Sequence, residues 1–304
     1  MLPFLLLRRG EAPKPNNRCE LVLNQGCASV YDNRMKSPDE TSLVLGQPQL
    51  FPVGLTLAVD AGSKVVLRLG EDQVFRDLGE VTIEGPSQVR LDASSPELKR
   101  LFLHEGLMRA RISANAKQKL FQVGTPAGNA VDLGCIYTMR VDDKTQATEL
   151  RVQLGRVAFE LAKETLYVWS GARCIIDPAR GAGLPVDDAA DPNFQRAADS
   201  WDRAADAASK SAALAALSRH ARPEDAATLW HVVATTGGSL RSDAVTALRS
   251  SRPARSPSHS PPSSPATPPP SKAGARTSWV GDGWRWEHAF SVGWVGPGAQ
   301  TCPR

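Results

Sequence analysis

The chain has 304 residues, room for one large domain or two modest ones, and its 41% hydrophobic content is low enough that part of it is not expected to pack. The net charge of +4 is uneven: from Arg249 onward seven Lys/Arg face only Asp282 and Glu287, a balance of +5 that leaves the preceding part at −1. That pattern argues against a nucleic-acid-binding domain, whose cations would gather on a folded face.

The opening "MLPFLLLRRG" places its charges after a short apolar stretch, whereas a secretory signal wants them before a longer one. No run of the sequence approaches the ~20 apolar residues of a membrane-spanning helix. Residues 1–48 carry loop signals ("APKPNN", "DNRMKSPDETS") and no motif, and are expected to be weakly structured.

From 49 to 180 the texture changes. Short β-branched and aliphatic runs recur every eight to twelve positions between Gly, Asp, Asn or Ser, among them "LTLAV", "KVVLRL", "EVTIEG", "KRLFLHEG", "KLFQVG", "ELRVQLG", "RVAFELA" and "TLYVWSG". This spacing predicts a mainly β fold, an antiparallel two-sheet sandwich or a short solenoid-like β domain. Alternation along 131–142 places Val131, Leu133, Cys135, Tyr137, Met139 and Val141 on a buried face. It leaves Asp132, Gly134, Thr138, Arg140 and Asp142 on a solvated one, with Ile136 as the exception. A hairpin is expected next, with Leu150, Val152 and Leu154 on one arm, a turn at Gly155-Arg156, and Val157, Phe159 and Leu161 on the other.

The segment 181–250 reads as a helical appendage. Asp191 is a helix N-cap with Pro192 at the first position. The first helix runs to about His220 with Phe194, Ala198 and Trp201 on one face. A second begins near Pro223 and packs through Leu229, Trp230 and Val233, and a third covers about Ser239 to Arg249. Beyond Leu248 there is no Leu, Ile or Met, and residues 253–278 hold eight prolines and seven serines. Residues 251–304 are therefore expected to be disordered. Four of the seven tryptophans lie in the last 26 residues, and the abrupt Arg/Pro/Ser/Gly/Trp bias is what a reading-frame shift in a GC-rich gene would produce, whereas a genuine linker would not obviously give "VGDGWRWEHAF".

The usual chemical devices are missing from the sequence. There is no GxxxxGK[ST], no strand-borne GxGxxG and no GxSxG elbow. Five cysteines (19, 27, 135, 174 and 302) without CxxC spacing argue against a zinc module and a dense disulfide scaffold. Cys135 and Cys174 read as small apolar core residues, with a disulfide between them as the alternative. The histidines at 104, 220, 231, 259 and 288 are never paired at ligand spacing, and His104 and His231 read as surface or capping groups. Asp132 and Asp142 share a face, but ten strand residues put them about 33 Å apart, far beyond a glycosidase carboxylate pair. Asp187, Asp188 and Asp191 lack the register of a Ca²⁺ loop and read as a solvated loop with a helix cap. No catalytic, cofactor or metal residue is assigned.

Ordered motifs then stand out: "LFLHEGLMRARI", "FQVGTP", "AVDLGCIYTMRVDD", "LRVQLGRVAFE" and "SGARC", with "ARPEDAATLWHVV" further on. Residues from about 52 to 200 resemble the FecR domain, the envelope-side sensor module of bacterial anti-sigma regulators. The resemblance implies a non-enzymatic sensor or binding domain that is periplasmic or envelope-facing. Its expected partner is an envelope protein, and a sigma factor is regulated through cytoplasmic helices and a membrane span that are not legible in this sequence. It implies no cofactor and no nucleic-acid partner. Two other readings are open: a carbohydrate-binding or carbohydrate-active β protein using Tyr137, Tyr167 and Trp169 as stacking faces, and a DNA-binding regulator using helices near 223–249 with Arg241 and Arg249.

Overall fold

The computed structural model describes residues 19–34, 41–71, 76–162 and 164–251. The expectations for 1–18 and 35–40, and that of disorder from 252 onward, lie outside the described residues. The chain enters through β1 (Cys19–Gln25), β2 (Ala28–Tyr31), β3 (Thr41–Ser42), β4 (Pro48–Leu50), β5 (Thr56–Val59) and β6 (Lys64–Glu71). Two long strands follow, β7 (Arg76–Ser94) and β8 (Lys99–Ile112). Then come β9 (Phe121–Thr125), β10 (Gly128–Asp132), β11 (Ile136–Val141), β12 (Thr148–Leu154), β13 (Arg156–Glu160), β14 (Thr165–Trp169) and β15 (Ala172–Asp177), with the short β16 (Gly181–Ala182) and β17 (Val186–Asp187).

The registers resolve these strands into two layers. The first runs β4, β1, β6, β7, β8, β11, β12, β15, closed by β16 and β17. The second runs β3, β2, β5, β7, β8, β9, β10, β13, β14. β7 and β8 belong to both, because each bends halfway along its length. β7 pairs with β6 through Lys64↔Glu84 and with β5 through Val59↔Ser87, and its register with β8 shifts between Glu84 and Gln88. β8 bends at Gly106, whose φ is +100°. A Cβ there would sit 2.0 Å from the Ser87 Oγ and 2.5 Å from the Pro86 carbonyl, so the two bends nest only with glycine at this point. Among the described residues the named strands pair antiparallel except β8 with β9, which is parallel, as is an isolated bridge between Leu23 and Leu45. The architecture is therefore a two-layer β fold in a mixed sheet network rather than a purely antiparallel one.

Inward side chains from both layers form one apolar cluster. Leu21, Leu67, Val81, Ile83, Met108, Tyr137, Met139 and Val152 come from the first, and Leu57, Val89, Leu91, Leu101, Val123, Ala130, Phe159 and Val168 from the second. Each fully buried large apolar side chain contributes on the order of 1.5–3 kcal/mol by leaving water. β1 and β2 lie inside the stretch expected to be weakly structured, yet Leu21, Leu23, Ala28 and Val30 are buried in this same core. Their alternation is real but short, and the loop residues on either side mask it.

The two expected patterns around 131 and 155 are corrected. Residues 131–142 are not one strand: the chain breaks after Asp132 and restarts at Ile136, which resets the two-residue phase. Ala130 and Asp132 point inward with Phe159 and Val157, their pairing partners, while Val131 lies opposite Ala158 on the other face of β10, where both are also buried. Likewise β12 and β13 do not form a hairpin. β12 pairs with β11 and β15, β13 with β10 and β14, and the chain crosses between layers at Gly155. Leu154, at the end of β12, is consequently exposed.

Four α-helices follow: α1 (Pro192–Arg203), α2 (Ala207–His220), α3 (Ala226–Thr235) and α4 (Gly238–Ser250), with a 3-10 turn at Pro223–Asp225. Asp191 caps α1 by accepting from the Asn193 N–H at 2.8 Å. The expected single helix to His220 is two, because Asp206 caps a new one by accepting from the Ser209 N–H at 2.7 Å. Phe194, Ala198, Trp201, Leu217, Leu229 and Val232 make a second core with Leu184 and Val186. Trp230, expected to pack, is 61% exposed. The Thr228 hydroxyl donates to the buried Pro185 carbonyl at 2.7 Å and ties α3 to the segment after β16.

Candidate functional site

The residues with chemical potential in 121–143 converge where the chain crosses from the second layer to the first. β9 and β10 form a hairpin in which the Thr125 hydroxyl accepts from the Ala127 N–H at 3.2 Å. The same hydroxyl accepts from the Thr148 hydroxyl of β12 at 2.9 Å, a buried bridge between layers. Asp132, expected on the solvated face, is 2% exposed. Its Oδ1 accepts from the Gly134 N–H and, at 3.1 Å, from the Cys135 N–H, so the carboxylate holds the turn that leads into β11. Among the described residues its Oδ2 has no hydrogen-bond partner. Burial raises its pKa to about 6 despite the two N–H donors.

Cys135 Sγ donates to the Arg156 carbonyl at 2.7 Å, which joins the same turn to the start of β13. Burial, then the nearby Asp132 charge, push this thiol to about 11. A thiol held neutral and out of water is a poor nucleophile. The Tyr137 hydroxyl is also buried without a hydrogen-bond partner among the described residues, and burial followed by the Asp132 charge holds it well above the ordinary phenol range. Cys174 is free, buried, and bonded through Sγ to the Gly183 carbonyl at 3.2 Å, so Cys135 and Cys174 are not joined.

Asp142 sits at the far end of β11, in the turn to β12. Its Oδ1 accepts from the Thr145 N–H at 2.7 Å and the Lys144 N–H at 3.2 Å, which lowers its pKa. The six residues of β11 separate it from Asp132 by about 20 Å, so the two do not form a carboxylate pair. His104 is neither surface nor cap: it lies within β8, half-buried, its ring 4.6 Å from that of Phe102. Burial and then Arg90 lower its pKa, and Nε2 has no hydrogen-bond partner among the described residues. His231 lies in α3, where burial lowers it.

The loop acids are all engaged. Asp187 accepts from the Ala189 N–H at 2.7 Å, Asp188 faces Arg151 and Arg173, and Asp191 caps α1 and meets Arg222 at 3.0 Å. Among the described residues no group of three His, Cys, Asp or Glu could hold a metal ion. The three aromatics considered for sugar stacking separate: Tyr137 is in the core, Trp169 packs against it, and Tyr167 alone is half-exposed, with the Arg156 guanidinium 5.2 Å from its ring centre. Burial of Asp132 was hidden from the sequence by the reset of phase at 133–135. Gly134, with φ +91°, was the one residue that could have announced it.

Residues 58–158 match the family described as FecR protein. That stretch covers β5 to β13 apart from the first two residues of β5 and the last two of β13, and includes the motifs from "LFLHEG" to "VQLGRVA". "SGARC" and the 221–233 segment lie beyond it. Two crystal structures of a candidate anti-sigma factor from Parabacteroides distasonis match at 15% identity with a TM-score of 0.36. The matches cover 48% of this chain and 64% and 63% of the solved chains, so the chain spans slightly under two thirds of those proteins' length. A search of the curated proteins returns no match. Among the described residues no helix is long and apolar enough to cross a membrane.

Proposed function

We propose that the β region is a non-enzymatic sensor domain that binds a protein partner in the cell envelope and takes part in controlling a sigma factor. The observation that carries this reading is the FecR match over 58–158, which falls on the strands that build the two-layer core. The chemistry of the crossing supports it, since Asp132, Cys135 and Tyr137 are turned into the fold rather than toward a cleft. Deleting the gene in its source bacterium and sequencing the transcriptome should change expression of a discrete set of promoters sharing one sigma-type consensus. A transcriptome unmoved by deletion and by overexpression would sink the signalling reading. As a check on the non-enzymatic part, purified protein should show no glycan, ester or peptide hydrolysis that Asp132→Asn removes.

A further inference from the structure

We propose that the outer face of the first layer is the surface through which this domain engages its partner, and that the partner presents a carboxylate-rich protein segment to it. This rests on the signalling reading above. Strand register sets the side chains of that face in rows. Arg109 of β8 and Arg151 of β12 both lie directly opposite Thr138 of β11, and Arg151 lies opposite Arg173 of β15. Three guanidiniums thus share one row across four strands spaced about 4.8 Å apart. In the neighbouring rows Arg140 lies between Leu107 and Glu149, and Arg111 lies opposite Ile136.

Like charges facing each other across strands destabilise a sheet. The molecule compensates at one end of the row only. Asp188 reaches Arg151 at 3.4 Å and Arg173 at 3.6 Å, and Glu149 reaches Arg151 at 3.4 Å. Arg109, Arg111 and Arg140 are exposed and make no ion pair with any described residue. A shallow depression lies beside Arg109 and Arg140, lined with them by Leu107, Thr138, Glu149 and Arg151. The chain before Arg249 is at −1 overall, so this excess is local to the face.

The surroundings favour protein over phosphate. Glu84 lies opposite Leu107, Glu80 opposite Arg111 and Glu149 opposite Arg140, so carboxylates are interleaved with the arginines. They would repel the unbroken negative field of a membrane or a nucleic acid, which selects a one-sign patch. Leu107, Ile136 and Thr138 between the guanidiniums supply the apolar and neutral contacts of a protein interface. Carboxylates on a partner would take the planar fork of each guanidinium.

The test uses the purified chain and four probes read by fluorescence: a labelled peptide alternating Glu and Thr, its Gln and Thr counterpart, vesicles containing phosphatidylglycerol, and a short DNA duplex. The Glu peptide should bind in preference to the other three, less tightly as salt rises. Arg109→Gln combined with Arg140→Gln should weaken it about tenfold without lowering the melting temperature, because no intramolecular pair is lost. Thr138→Glu, which places a counter-ion in the same row, should weaken it likewise. Equal binding of the Gln peptide, full affinity in the variants, or preference for vesicles or duplex would overturn the proposal. The two readings fail separately: a transcriptome unmoved by deletion removes the signalling role, whereas variants that signal like the wild type remove only this face.

Discussion

Asp132 shows how a residue expected in water becomes part of the fold. With one oxygen accepting two N–H groups and the other buried without a hydrogen-bond partner among the described residues, its charged form is penalised in the folded state and its pKa rises to about 6. A carboxyl whose folded pKa lies above its unfolded value stabilises fully below the unfolded value, near 4, and that contribution is lost as pH rises through about 6. Asp202, half-buried and bonded to the Leu184 N–H at 2.9 Å, is raised to about 6 chiefly by desolvation as well and adds to the trend. The turn acid Asp142 and the helix caps Asp191 and Asp206 are lowered and act in the opposite sense, losing their contribution only at more acid pH. Asp132→Asn keeps an acceptor for the turn and removes the charge. Urea denaturation should therefore find the variant gaining on the wild type between pH 4 and 7, by at most ~3 kcal/mol. A difference between the two proteins that is constant across that range would show that Asp132 does not titrate between folded and unfolded states.

At the scale of elements, the crossings between layers decide what alternation could and could not reveal. Tyr137, Met139 and Val141, and again Val157 and Phe159, were legible as core because each set lies within one uninterrupted strand. Val131 is buried and Leu133 packs against the core as expected, whereas Asp132 was misassigned to the solvated face because phase was carried through a turn that inserts three residues between β10 and β11. The Gly155 turn was read as a hairpin, since the sequence shows a reversal but not which strands receive it. Its glycine is specific to the crossing: φ is +84°, and a Cβ would lie 2.7 Å from the Gly134 carbonyl and 3.2 Å from the Cys135 Cα. Gly155→Ala should cost on the order of 1–3 kcal/mol in equilibrium unfolding, from left-handed backbone and the clash with the neighbouring crossing. Phe159→Ala, at a fully buried position, should cost more, about 3–5 kcal/mol. Finding Gly155→Ala neutral would mean that the two crossings do not pack as described.

For the whole molecule, the strands shared between layers have a consequence for cooperativity. β7 and β8 donate one half to each layer, and one apolar cluster spans both, so neither layer can lose its inner face without exposing the other's. The helices stand on different terms. Their core is a separate cluster built from Leu184 and Val186 onward, joined to the β region through the β15–β17 edge and the Arg173–Gln195 bond of 3.2 Å. Packed units of this kind open as cooperative blocks whose free energies differ. Native-state hydrogen exchange should therefore give β6, β11 and β12 of the first layer the same opening free energy as β9, β10 and β13 of the second. The amides of α2 to α4 should open at a lower value. Phe159→Ala, made in the second layer, should lower protection equally in the first. Layers that open at values more than ~1 kcal/mol apart, or a first layer untouched by Phe159→Ala, would show that the bends in β7 and β8 act as hinges between independent sheets.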